Sequence, residues 1–192
     1  MFQVRIHGRG GQGAVTAAEL LSVAAFMEDR HAQAFPSFGS ERTGAPVVAF
    51  CRIDDRPIRV REPVMRPDAL VVQDPTLLHQ VNVFEGLRTG GSVLVNSPRS
   101  AAELGLTGLS GPVLTVPATA FAVRHFGRPV PNAVLLGGLA ALTGCVTIDS
   151  LAAAVRERFP GELGRANAAA AREAYDHVQN AQREEQAHAQ AD

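Results

Sequence analysis

The sequence of 192 residues predicts an α/β fold of three layers: a largely parallel twisted sheet, helices on both faces and an inserted antiparallel hairpin. Three observations carry this. Short apolar runs bounded by Gly, Pro or Asp read as buried strands. They alternate with longer stretches whose apolar residues recur at helical spacing. A glycine cluster directly after the first strand opens the first helix. No internal repeat or linker divides the chain, so one domain over 1–180 is expected, with 181–192 a polar C-terminal tail that frays.

The elements follow in order. Phe2–His7 reads as a strand, and Ala14 to about Asp29 as a helix, with Val15, Ala18, Leu21 and Ala25 on an apolar stripe. After a short stretch from His31 comes a loop punctuated by Pro and Gly, Pro36–Pro46. Val47–Ile53 is rich in strand formers, Asp54–Asp55 suits a tight turn, and Ile58–Val60 would return as the hairpin partner. Asp68–Asp74 and Gly90–Pro98 are short buried strands. The run GPVLTVPATAFAVRHFG reads as a strand and then a helix. Asn132 would cap the helix of NAVLLGGLAALTG, with Gly144 ending it, and Ser150 would cap LAAAVRERF. The last strongly helical segment is ELGRANAAAAREAYDHVQNAQ.

Composition bounds the function. The net charge is −1, which gives no electrostatic footprint for nucleic acid or an anionic membrane. All 18 basic residues are arginine, which excludes a Schiff-base or P-loop lysine in this chain. Cys51 and Cys145 are isolated and cannot by themselves hold an iron–sulfur cluster or a structural zinc, so no metal site is expected. Two lone thiols and the lack of a signal-peptide pattern point to a reduced, cytoplasmic chain. Apolar runs are broken well before the about 18 residues a membrane span needs.

Gly8, Gly10 and Gly13 satisfy G-x-G-x-x-G between a strand and a helix, and Gly11 adds a fourth glycine. The N–H groups of Gly11, Gln12 and Gly13 could face an anion at a helix N-terminus. A dinucleotide site also needs an acidic residue at the end of the second strand. Asp29 has about the right spacing but precedes that strand, and AFPSF at its end has no carboxylate. Three readings stay open: an NAD site, a turn that merely lets helix and strand pack, and an anion or subunit-contact site. Gln12, an amide among glycines read as pointing outward, favours the last.

The second loop, FPSFGSERTGAP, holds Phe35, Phe38, Glu41, Arg42 and Gly44. It either covers the sheet end, or packs against a partner protein or overhangs an active site, and the Arg42 fork suits a phosphate or carboxylate. Asp74 and Asn96 fall at strand ends, the usual edge of a ligand crevice, and equally suit turn or cap roles. His7 reads as a core histidine. No Ser–His–Asp or paired-carboxylate set assembles from local spacing, so no catalytic residue is assigned.

These motifs, taken in order, resemble a known family. RIHGRGGQGAVTAAELL, FPSFGSERTGAPVVAFCRIDDRPI, ALVVQDPTLL, VNS and PNAVLLGGLAAL followed by RFPGELGRANAAAAREAY are similar to the gamma subunit of 2-oxoacid:acceptor oxidoreductases, the family of pyruvate:ferredoxin oxidoreductase. The likeness runs from about Phe2 to His177. It implies a reaction in which a 2-oxoacid is decarboxylated on thiamine diphosphate. Electrons then leave through iron–sulfur clusters to ferredoxin or NAD, and the acyl group passes to coenzyme A. This chain lacks the cysteines for clusters and a G-D-G…N thiamine-diphosphate motif. The resemblance therefore implies alpha, beta and delta (ferredoxin-like) partners that carry the cofactors, and an NAD(H)-binding flavoprotein subunit where NAD is the acceptor. The order Glu41-Arg42-Thr43-Gly44-Ala45-Pro46 looks like the pyruvate and 2-ketoisovalerate branch, including aryl-glyoxylate enzymes; the 2-oxoglutarate branch typically has E-x-R-G-G. On this reading Gly8, Gly10, Gly11, Gln12, Gly13, Phe38, Glu41, Arg42, Gly44, Asp74 and Asn96 are candidates for a subunit interface or the edge of a coenzyme A site. The rival readings are a free-standing nucleotide-binding oxidoreductase and a pure scaffold.

Overall fold

The computed structural model describes residues 1–37 and 43–191, the side chains of 188–191 aside. A six-stranded sheet has the order β2-β3-β1-β4-β5-β6. Its strands are β1 (Phe2–Arg9), β2 (His31–Pro36), β3 (Pro46–Asp54), β4 (Ala69–Val72), β5 (Ser92–Asn96) and β6 (Val113–Val116). β1, β4, β5 and β6 pair in parallel, with Ile6 beside Val71 and Val71 beside Leu94. β3 runs against both of its neighbours, β1 and β2. The layered α/β class with a largely parallel sheet is as expected.

The antiparallel hairpin is built from different residues than expected. β3 pairs with β2 upstream, Phe35 facing Phe50, and Ile58–Val60 forms no strand. With both edges of β3 occupied, the following segment has nothing left to pair with. Pro57, Pro63 and Pro67 also remove ladder donors from it. The Asp54 carboxylate accepts from Arg56 N–H (3.1 Å) and turns the chain out of the sheet.

The helices are α1 (Ala14–Phe26), α2 (Ala118–Phe126), α3 (Asn132–Thr143), α4 (Ile148–Arg158) and α5 (Gly161–Ala191). α1 stops at Phe26 rather than Asp29 because Asp29 takes a left-handed φ of 57° and Arg30 N–H donates back to Ala25 O. The cap of α4 is Thr147, which accepts from Ser150 N–H, so Ser150 is the donor and not the cap. Pro131 precedes α3 and Asn132 is its first residue. α5 stays helical to Ala191, through the segment expected to be a frayed tail, and is exposed over Arg183–Ala187.

Strand residues alternate between two cores. Val4, Ile6, Ala49, Cys51, Ile53, Ala69, Val71, Leu94, Leu114 and Val116 face a large cluster to which all five α-helices contribute. Leu70, Val72, Val93 and Val95 face a smaller one, closed by the 3₁₀ turn Pro75–His79 and by loop residues such as Val83, Phe84 and Leu104. Helices were expected on both faces, but among the described residues the α-helices lie on one. The connections on the other face, 73–91 and 97–112, carry Pro75, Gly86, Gly90, Gly91, Pro98, Gly105, Gly108, Gly111 and Pro112, which punctuate any helix.

α3 is buried nearly all round, between the sheet and α5. Its hydrophobic pattern is accordingly uniform rather than striped. A Cβ on Gly137 would lie 1.9 Å from the Ala171 carbonyl oxygen, so the bare Cα lets the two helices touch. A Cβ on Gly138 would meet only side-chain ends, Leu94 Cδ2 at 3.0 Å and the Val116 and Val178 methyls at 3.3 Å. Gly137→Ala should therefore cost about 1–3 kcal/mol in denaturant unfolding. Gly138→Ala should cost clearly less; equal midpoints for the two variants would contradict this packing.

On the opposite face β1 buries two polar residues. Arg5 donates to the carbonyls of Val83 (2.9 Å) and Glu85, and its Nε donates to His7 Nε2 (3.1 Å). Burial, and then the Arg5 charge, push the His7 pKa down from 6.5 to about 4. His7 is the core histidine expected. Its neutral form is the folded one, so the unfolded chain binds more protons between these values. Stability is complete above pH 6.5 and falls as pH drops towards about 4, by up to about 3 kcal/mol. Urea titrations at about pH 7.5 and about pH 5 should show this loss, and His7→Gln should remove most of it.

Candidate functional site at the glycine turn

β1 ends in the turn Arg9–Gly13, and Gly13 caps α1 with φ 75°. Two glycines are set by close neighbours. A Cβ on Gly8 would lie 2.5 Å from Gln73 Oε1, and one on Gly13 would lie 2.5 Å from Asn132 Nδ2. The turn thus presses on the end of β4 and on the start of α3.

Gln12 turns inward, which corrects its reading as an outward group. Its Oε1 accepts from Arg9 N–H (2.8 Å) and its Nε2 donates to Asp74 Oδ2 (3.0 Å). Of the three N–H groups considered for an anion, that of Gln12 is donated to Arg9 O at 2.9 Å. Asp74 caps the 3₁₀ turn by accepting from Thr76 N–H (3.0 Å) and Thr76 Oγ1 (2.6 Å), and Arg9 Nε donates to its other oxygen (2.9 Å). Burial alone would raise the Asp74 pKa. The donors, Thr76 and Gln12 foremost and Arg9 after them, outweigh it and hold the carboxyl below its ordinary value. Arg9 also donates to Gly44 O (3.0 Å), Thr76 Oγ1 (2.6 Å) and Gln80 Oε1 (2.8 Å).

Gly8, Gly10, Gly11, Gln12, Gly13, Gly44 and Asp74 therefore come together. Gly10 N–H donates to Ala45 O (2.9 Å) and Gly44 N–H to Gly10 O (3.1 Å). Asn96 stands at the end of β5, where its amide is fully engaged. It donates to Gln73 O and Thr119 Oγ1 (both 2.8 Å) and accepts from Thr119 N–H (3.2 Å). Phe38, Glu41 and Arg42 lie outside the described residues. Arg9 was missed, although an arginine wedged between two glycines was a visible signal. Gln73, buried with both side-chain polar atoms unpaired, had none.

Openings flank the turn. One of about 230 Å³ is lined by Arg9, Gly10, Gly11, Gly13, Val15 and Val47. Another of about 210 Å³ lies between Gly11, Gly13, Thr16, Arg128, Asn132 and Arg158. A more apolar groove of about 600 Å³ runs along Pro75, Asn96, Pro98, Pro117, Thr119 and Val123.

The sheet order weighs against a dinucleotide site. After α1 the chain enters β2 at the sheet edge, with β3 standing between it and β1. A ribose-binding carboxylate at the end of the second strand would be too far from the glycine turn, and β2 ends at Pro36 without one. Among the described residues no group of three or more His, Cys, Asp or Glu is arranged to hold a metal. No helix there is long and apolar enough to cross a membrane.

What fold and site define is a layered α/β chain with a tightly braced glycine turn. The model of the pyruvate ferredoxin/flavodoxin oxidoreductase family matches residues 3–177, and the chain belongs to that family. Its relatives include the pyruvate/ketoisovalerate oxidoreductases common subunit gamma of Thermococcus litoralis, 49% identical over 92% of this chain and 96% of that one. The pyruvate synthase subunit PorC of Methanothermobacter marburgensis is also 49% identical, over 94% of this chain and 99% of its own. The crystal structure of the pyruvate oxidoreductase subunit PORC from Thermotoga maritima superposes with a TM-score of 0.81 at 38% identity, covering 91% and 95% of the two chains. The expected family is thereby shown, and with it the role of a subunit in a larger oxidoreductase.

Asp74→Asn removes the charge that organises the turn and should lower stability by about 1.5–3 kcal/mol at neutral pH. Because the folded pKa is the lower one, the wild-type advantage is present above the ordinary carboxylate range and vanishes as pH falls through the folded value. Denaturant midpoints for the two proteins that stay equal at neutral pH would contradict the network.

Proposed function

We propose that this chain is the gamma subunit of a coenzyme A-acylating 2-oxoacid:acceptor oxidoreductase, contributing subunit interface and active-site edge. The carrying observation is its near full-length similarity to gamma subunits, joined to a braced glycine turn. The 2-oxoacid is pyruvate-like or an aryl-glyoxylate, in keeping with the pyruvate/ketoisovalerate relatives. Alpha, beta and delta partners supply thiamine diphosphate and iron–sulfur clusters, which decarboxylate the acid and carry its electrons to ferredoxin, or to NAD through a flavoprotein subunit. The complex is cytoplasmic.

The residues of this chain do not fit those cofactors. Cys51 and Cys145 are both buried in the core, and burial pushes both thiols up, away from the thiolate a cluster needs. Lysine is absent. Coenzyme A suits the chain better, because an opening beside the glycine turn carries Arg128 and Arg158, and arginine forks match phosphate oxygens. The candidate interface and edge residues are Gly8, Gly10, Gly11, Gln12, Gly13, Phe38, Glu41, Arg42, Gly44, Asp74 and Asn96.

Purification of the tagged chain from its own cells should bring down larger partners with thiamine diphosphate and iron–sulfur absorbance. The isolated chain should reduce no acceptor with any 2-oxoacid. A monomer that turns over alone, or that binds NAD(H) at micromolar concentration, would favour the nucleotide-binding reading instead.

A further inference from the structure

Residues 43–45 rest on the glycine turn with little apolar surface beneath them. Thr43 and Gly44 are exposed and Ala45 is half-buried. Among the described residues the backbone joins the two segments by two bonds, Gly10 N–H to Ala45 O (2.9 Å) and Gly44 N–H to Gly10 O (3.1 Å), around a bridge between Gly10 and Thr43. A segment without buried side chains belongs to the low-stability end of a fold and opens readily unless something else ties it down.

The Arg9 guanidinium is that tie. Nη1 reaches Gly44 O at 3.0 Å, while Nε holds Asp74 at 2.9 Å and Nη2 holds Thr76 and Gln80 at 2.6 and 2.8 Å. Three of its four acceptors belong to the stretch after β4, so the fork is already aimed before it meets Gly44. Asp74 is itself fixed by Thr76 and Gln12. The planar fork is needed for this, since an ammonium in its place cannot span both sides.

We infer that Arg9 is a positioning residue that latches residues 43–45 onto the glycine turn and so sets the edge met by the acyl acceptor. The second half of this inference rests on the coenzyme A reading above. Arg9 acts through the Gly44 carbonyl and takes no part in decarboxylation, which belongs to the partners.

The test uses the whole complex with Arg9→Lys, and with the milder Thr76→Val and Gln80→Leu in case the first fails to assemble. Hydrogen exchange at the Gly10 and Gly44 amides reads the latch without any activity. Arg9→Lys should speed it about tenfold or more, and the milder variants less, in the same direction. Steady-state kinetics should show the KM for coenzyme A raised about tenfold. Reduction of the clusters by 2-oxoacid in the absence of coenzyme A should keep its wild-type rate, which a general loss of structure would not spare. Unchanged exchange overturns the latch. Faster exchange with an unchanged KM overturns the positioning role. A wild-type complex that needs no coenzyme A overturns the functional reading, and the positioning role falls with it, while the exchange result still judges the latch.

Discussion

The Asp74 carboxylate gathers donors from two parts of the chain: Arg9 and Gln12 of the first turn, and Thr76 of its own. A carboxylate with this many donors is strongly preferred in its charged form, and each donor is thereby held in place. The glycine turn owes its shape to that charge as much as to its glycines. Glycine permits the backbone path and the close approach of Gln73 and Asn132, but it cannot choose among the many paths it permits. The choice is made by the polar side chains between the glycines.

The two faces of the sheet are stabilised by different means. On the helical side the core is aliphatic and small-residue-rich, with α3 laid so closely on α5 that a bare Cα meets a carbonyl. On the other side much of the tying is done by arginine. Arg5 holds the loop carbonyls of Val83 and Glu85. Arg52 bonds Gln3, Gln33 and the Glu62 carbonyl while lying over the Phe35 ring. Loops without helical structure keep many free carbonyls, and a guanidinium can satisfy several at once. A chain without lysine is well supplied for that task.

The order of strands and helices was legible because buried strands and alanine-rich helices have distinct periods. The hairpin partner was not, because Ile58–Val60 and His31–Pro36 look equally strand-like and only the free edge of β3 decides between them. The distribution of helices was obscure for a similar reason: periodicity shows which residues are apolar, not which face they cover. In the site, the spacing of Gly8, Gly10 and Gly13 was plain, and Asp74 stood out at a strand end. The direction of the Gln12 side chain was not readable, since its partner is 62 residues away in sequence. Arg9 was passed over because its acceptors, Gly44, Asp74, Thr76 and Gln80, come from segments that meet only when the sheet forms.

The one reversed strand has a consequence for loop geography. In an all-parallel arrangement, consecutive strands join by crossovers that start at one end of the sheet and finish at the other. Because β3 runs backwards, with Arg9 beside Pro46, the short connection from β2 begins and ends at the same end as the exits of β1 and β4. A single inversion of direction thus adds a complete loop to a margin that would otherwise receive only strand exits. The opposite margin, where Met1 pairs with Asp54, receives the entries of the parallel strands and the long connection 55–68 that leaves β3.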